Sequence, residues 1–147
     1  MSQKTRKAQV VVIGLSPQDQ SLHVLLFKTN SQRGSFWQNV TGKIEADESW
    51  SEGAAREFQE ETQFSMENLI QFTSLDLEHE FKDRWKREVV EKSFLAFVKE
   101  LSSPKLDPTE HQDFKWLSID QINREHYAFE SNYEAFRFAK DLLLNGK

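Results

Sequence analysis

Between Gly42 and Phe64 the chain reads GKIEADESWSEGAAREFQEETQF, which places six glutamates, one aspartate and one arginine in 23 residues. A charge run of this kind is ordinarily a solvated helix face. The spacing of its last acids points to chemistry. On a helix turning about 100° per residue, Glu57 and Glu61 project from nearly the same side and Glu60 lies about 60° from Glu57, so three carboxylates can converge. Like charges placed this way repel, at a cost of roughly 0.3 kcal/mol per pair. A bound Mg²⁺ or Mn²⁺ reverses that sign, because hard cations take carboxylate oxygens and water. Arg56, four residues before Glu60, is placed to orient a carboxylate through charge-assisted hydrogen bonds, and Glu48 in the preceding loop can hold it from the other side. Gly42 suits either close backbone approach or a positive φ.

The elements that must position these residues follow from local pattern. Ala8 to Leu15 and Leu22 to Phe27 are apolar, β-branched runs joined by the polar SPQDQS, which reads as a hairpin on turn chemistry. In FWQNVTG, Phe36, Gln38 and Val40 alternate with Trp37, Asn39 and Thr41, which reads as one short strand ending at Gly42. Ser49-x-x-Glu52 is a capping box that predicts a helix from Trp50 to Thr62, with Trp50, Ala54 and Phe58 as its core stripe. Leu69 to Leu77, Val89 to Val98 and Phe114 to Leu117 are further strand candidates. Ser118-x-x-Gln121 and Ser131-x-x-Glu134 read as two more helix starts, the last helix closing at Asn145-Gly146. This order predicts an α/β (α+β) fold with a mixed sheet and helices packed on it.

Composition sets the outer limits. The 147 residues, 37% hydrophobic with 18 aromatics, suit one domain spanning 1–147. No apolar run has the length of a membrane span or signal peptide, and the absence of cysteine excludes disulfides and thiolate chemistry and fits a reducing compartment. The expectation is a cytoplasmic protein, monomer or homodimer, with no membrane partner. A net charge of −5 argues against general nucleic-acid binding. A phosphorylated small molecule remains compatible when a cation screens it.

Gly42, five residues, Glu48, seven residues and Arg56-Glu57-Phe58-Gln59-Glu60-Glu61 together resemble the Nudix box, Gly-x5-Glu-x7-Arg-Glu-apolar-x-Glu-Glu-x-Gly-apolar. One fixed position departs: Gln63 stands where the last Gly is usual, and Phe64 restores the final apolar residue. Chance agreement is on the order of 10⁻⁸ per starting point from average residue usage. The resemblance implies a Nudix-type α/β/α sandwich and Mg²⁺-dependent hydrolysis of a nucleoside diphosphate linked to another group. It implies Glu57, Glu60 and Glu61 as metal ligands, Arg56 and Glu48 as the orienting pair, and Gly42 in the loop near the metal. It further implies Glu110, before the aromatic strand FKWL, as an extra ligand or general base, with Glu60 the other candidate base. A left-handed Gln63 costs roughly 1 kcal/mol more than Gly. An altered turn, with the helix running one or two residues further, is therefore expected there.

Outside the box, FWQ-x-VTG, TEH-x3-KWL and Ser131-Asn132 are similar to the dihydroneopterin triphosphate pyrophosphatases of folate biosynthesis. That similarity implies Thr41, Lys28, Arg6, Lys7 and the stretch Phe81 to Arg84 as substrate contacts. The aromatics Trp37, Phe81, Trp85 and Trp116 are candidates to stack on a flat ring. Two other readings stand beside this one: a housecleaning hydrolase of (d)NTPs such as dATP or of dinucleoside polyphosphates, and a nucleotide-sensing Nudix-fold binding module without catalysis.

Overall fold

The computed structural model describes residues 4–146; residues 1–3 and 147, the ends of the single-domain expectation, lie outside the described residues. Strands β1 (Thr5–Leu15) and β2 (Leu22–Thr29) form the expected antiparallel hairpin, with Val12 opposite Leu25. The same edge of β1 is shared out along its length, because its N-terminal half pairs with β4 (Val40–Lys43), placing Gln9 opposite Thr41. Its other edge runs parallel to β6 (Glu88–Val98). Beyond β6 lies β5 (Leu69–Lys82), and β2 carries both β3 (Trp37–Gln38) and β7 (His111–Ser118). The result is one seven-stranded mixed sheet.

Alternate residues of the central strands serve two cores. Ala8, Val10 and Val12 of β1, Leu25 and Phe27 of β2, and Phe94 and Ala96 of β6 join Ala54 and Phe58 of α1 (Trp50–Thr62). Val11, Ile13, Val24, Leu26 and Leu95 face the other way and join Ala135, Phe136 and Ala139 of α2 (Glu130–Asn145). Strands buried on both faces need apolar residues throughout, which is why VVVI, VLLF and FLAF read as continuous runs. This is the expected α/β/α sandwich. Among the described residues no helix is long and apolar enough to cross a membrane.

Several boundaries differ from the sequence expectation, each for a tertiary reason. FWQNVTG is two strands, broken at the fully buried Asn39, because its first residues follow β2 and its last follow β1 where those two strands have separated. Strand β5 continues past Leu77 to Lys82 through the charged EHEFK, paired with β6 down to Lys82 opposite Glu88. Ser118-x-x-Gln121 yields only a single 3-10 turn over Ile119–Gln121, closed by the Ser118 hydroxyl on the Asp120 N–H and anchored by buried Ile119. Helix α2 starts at Glu130, and Ser131 is not its cap. The capping position is Phe129, which has no side-chain oxygen and instead packs edge-on to Phe36 at 5.1 Å.

The first turns of α2 are held to the sheet by polar groups. Asn39 donates its backbone N–H to Asn132 Oδ1 at 2.9 Å and its side-chain amide to Gln9 Oε1 at 2.7 Å. Gln9 in turn donates to Glu91 Oε1 at 3.1 Å, and burial pushes the Glu91 carboxyl above its ordinary range. Nearby, His79 Nε2 lies 2.6 Å from Glu134 Oε1, joining β5 to α2.

Candidate active site

The capping box predicted at the start of α1 is present: Ser49 accepts from the Glu52 N–H, and the Glu52 carboxylate accepts from the Ser49 N–H. This fixes where Arg56 emerges. Its Nε donates to Glu48 Oε2 at 2.6 Å and its Nη2 to Glu48 Oε1 at 2.9 Å, a two-pronged pair. Nη2 also donates to the Lys43 carbonyl at 2.9 Å, while Nη1 donates to Glu57 Oε1 at 3.0 Å and Glu60 Oε1 at 3.1 Å. One guanidinium therefore ties the loop, the end of β4 and two helix carboxylates together. The Arg56 hydrogen bonds, helped by the Glu45 N–H, hold the Glu48 carboxyl down to about 2.

Glu57 and Glu61 turn toward the sheet. Burial pushes the Glu57 carboxyl above its ordinary range, against the opposing pull of Arg56. Glu61 is deeper, with 4% of its side chain exposed, and burial followed by the charges of Glu57 and Glu110 pushes it well above that range. Its Oε1 has no hydrogen-bond partner. Glu60 differs: 60% of its side chain is exposed, with one oxygen on Arg56. Glu110 sits before β7 beside Arg33, 3.8 Å away. The donors are all hard carboxylate oxygens, one of them buried and unpaired, a set suited to a hard divalent cation. As placed, no three acidic or imidazole side chains among the described residues are grouped closely enough to surround one ion.

The space a side chain at Gly42 would need is filled by Glu57. A Cβ there would overlap the Glu57 carboxylate carbon, and Gly42 is not among the positive-φ glycines. Gly53 has a similar role that the sequence pattern did not reveal, since a Cβ on it would run into Ile44 Cδ1 of the box loop. At the helix end the expected longer helix does not form: α1 stops at Thr62, and Gln63 itself takes the left-handed conformation (φ 55°, ψ 29°). The turn is kept because Phe64 is buried beside Phe58 and stacked on Trp116, and Gln59 Nε2 donates to the Phe64 carbonyl at 2.7 Å.

The NUDIX domain model matches residues 5–137, nearly the whole described chain. The chain belongs to the Nudix family. Members of this family act on phosphoanhydrides of small phosphorylated substrates and generally use a divalent metal. Over 112 residues the chain is 34% identical to an octanoyltransferase of Myxococcus xanthus, covering 74% of this chain and only 29% of that protein. The similar segment is thus less than a third of that curated relative. Among solved structures, a C. elegans Ap4A hydrolase binary complex superposes with a TM-score of 0.76 at 19% identity, covering 96% of this chain and 98% of the other. The E. coli dihydroneopterin triphosphate pyrophosphohydrolase superposes with a TM-score of 0.74 at 22% identity, covering 95% of each chain. At these identities the likeness is one of fold.

The residues expected to contact substrate are dispersed around the Nudix box. Arg6 is beside it, donating to the Glu45 carbonyl at 2.7 Å with its guanidinium 5.4 Å over the Trp50 ring. Lys7 projects from the opposite face of β1, between Lys43 and Glu91 on the neighbouring strands. Thr41, paired with Gln9, also faces the α2 side. So do Lys28 and Trp37, whose ring packs on the α2 core with Lys115 Nζ at 4.0 Å and Lys28 Nζ at 5.9 Å. Phe81 and Arg84 lie at the end of the β5–β6 hairpin, where Arg84 covers the exposed Trp85 at 4.4 Å. Trp116 is spoken for in the α1 core, its indole donating to the Ser102 carbonyl at 2.9 Å.

His111 is the site residue that sequence reasoning passed over. It is buried, its ring 4.9 Å from Phe27, and its Nε2 lies 3.6 Å from Glu61 Oε1. Burial, then the charge of Arg33, lowers its pKa to about 4, so the ring is neutral near pH 7. Alternation from Phe114 and Trp116, which pack on the α1 core, would turn His111 to the α2 face with Leu117. A register shift at Lys28/Thr29 sets it opposite Thr29 instead, and that irregularity leaves no mark in the sequence.

Proposed function

We propose that this chain is a Mg²⁺-dependent pyrophosphohydrolase, with Mn²⁺ able to substitute, that cleaves dihydroneopterin triphosphate to the monophosphate and diphosphate. The observation that carries the catalytic part is the Arg56 fork set beside two inward-facing carboxylates, one with an unpaired oxygen. Glu57 and Glu61, which face inward, would hold the cation together with Glu60 and Glu110, whose side chains would have to turn in from the positions described above. Bound there, the cation supplies Lewis acidity, lowering the pKa of water and neutralising phosphate charge. Arg56, locked by Glu48, keeps Glu57 and Glu60 oriented as that charge arrives. Gly42 lets the β4 backbone stand against Glu57. Glu60 or Glu110 takes the proton of the attacking water, which adds to phosphorus in line as the diphosphate leaves.

The pterin substrate is supported by the stretches outside the box that resemble such enzymes. The test is to incubate purified protein with Mg²⁺ and, separately, dihydroneopterin triphosphate, dNTPs, dinucleoside polyphosphates, nucleotide sugars and capped RNA, and identify the phosphate products. Diphosphate release with the pterin preferred is the expected result. Preference for dATP or Ap4A transfers the protein to the housecleaning reading, and tight binding without turnover of any compound leaves the sensing module.

A further inference from the structure

We infer that His111 is a positioning residue for the metal site: its Nε2–H holds Glu61 Oε1 so that the other Glu61 oxygen is presented to the cation. The inference rests on the reading of Glu61 as a metal ligand. Three observations support it. The first is that Glu61 Oε1 is a buried acceptor without a hydrogen bond, one of six such side-chain atoms among the described residues and the only one on a carboxylate, where a missing partner costs most. The second is that His111 Nε2 lies 3.6 Å from that oxygen, with both side chains shut away from solvent. This is beyond hydrogen-bond length, so the contact needs the Glu61 carboxylate to approach the ring by about half an ångström. The third is that His111 is built to stay where it is. Its ring packs on Phe27, its backbone N–H donates to the Asp107 carbonyl at 2.9 Å, and the irregular pairing with Thr29 turns the side chain inward. A carboxylate on the last turn of α1 thus faces a fixed donor on β7.

A carboxylate with one oxygen held by a donor has its plane fixed, so the other oxygen is presented to the cation in one direction. Residues that orient ligands in this way typically contribute a factor of about 10 to 100 in metal affinity. The Gln side chain places an amide N–H near the position of imidazole Nε2, whereas Asn places one near Nδ1. His111→Gln should therefore retain what His111→Asn and His111→Phe lose.

The experiment measures Mn²⁺ binding by EPR to the parent, His111→Gln, His111→Asn, His111→Phe and Glu61→Gln, with thermal unfolding of each metal-free protein as the control for folding. Expected are a Kd raised about 10- to 100-fold in His111→Asn and His111→Phe, and a Kd within about threefold of the parent in His111→Gln. At saturating metal the substrate KM should be unchanged in all three. Should His111→Phe fail to fold, the Gln and Asn pair carries the comparison alone. Equal Mn²⁺ affinity in His111→Gln and His111→Asn overturns the proposal. If Glu61→Gln also binds Mn²⁺ like the parent, the failure belongs to the metal-site reading; if Glu61→Gln loses Mn²⁺ and the His111 variants do not, it belongs to His111 alone.

Discussion

The two faces of the sheet each bury acidic groups, and they treat them differently. On the α1 face, Arg56 satisfies Glu48 completely while Glu61 keeps an orphan oxygen among other carboxylates. On the α2 face, Glu91 is met by the neutral amide of Gln9, which is itself satisfied by Asn39, and the chain of contacts ends in the first turn of α2. That network is satisfied except at Asn39 Oδ1, which has no hydrogen-bond partner, and a neutral polar network of this kind specifies a structure. An acid left crowded and unpaired has a cost that a proton or a bound cation removes, so the α1 face is organised to take up a charge and the α2 face to hold itself together.

Glu61→Gln tests that contrast with the largest effect: turnover should fall on the order of 10³-fold, the several kcal/mol a metal contributes to transition-state charge, measured by diphosphate release. Near-parental activity would mean that the crowded acids are not ligands. Gly42→Ala comes next. Its methyl must displace the Glu57 carboxylate or the β4 backbone, and overpacking of this kind costs about 1–3 kcal/mol, read from urea unfolding. Asn39→Ala keeps the backbone bond to Asn132 but removes the side-chain amide and leaves Gln9 Oε1 without its donor, for about 1–3 kcal/mol. The Mg²⁺-induced rise in Tm should survive that change, and its loss would show that the two faces are coupled.

A pH measurement sharpens the same comparison. Glu61 and Glu91 both have folded pKa values raised by burial, so the unfolded state releases their protons first. Each group therefore lowers stability as pH rises above its unfolded value of about 4.5. At pH 8 without metal, Glu61→Gln and Glu91→Gln should each raise Tm by a few degrees. With Mg²⁺ only the Glu91→Gln gain should persist, because the cation already relieves Glu61 in the parent. The smallest effect is expected at Gln63→Gly, which removes a left-handed strain of roughly 1 kcal/mol and should raise Tm without altering metal affinity.

The same contrast decides what could be read from the sequence. The Arg56 fork, the capping box and the carboxylate spacing all lie within one 23-residue segment, where helical periodicity alone predicts which side chains meet. The α2 network draws on β1, the break between β3 and β4, β6 and α2, so no local pattern announces it. Glu60 shows the limit even inside the box: periodicity placed it beside Glu57 and Glu61, but its side chain follows Arg56 outward. Helix α2 starts one residue before Ser131 because Asn132 is engaged by Asn39 and Phe129 by Phe36, both partners far away in sequence. His111 was hidden by an irregular pairing.

Gln9 is the only polar side chain in the run AQVVVIGL. A strand with one wet face is kept in register by the penalty for turning that face inward, a safeguard that β1, apolar on both sides, does not have. Shifted by two residues, its valines would meet much the same neighbours. Gln9 would not, since Asn39 and Glu91 await it at one position only. A single buried amide thus acts as the index mark by which the central strand finds its place, and a chain carrying Gln9→Leu should fold to the same sheet with less certainty about where along it β1 belongs.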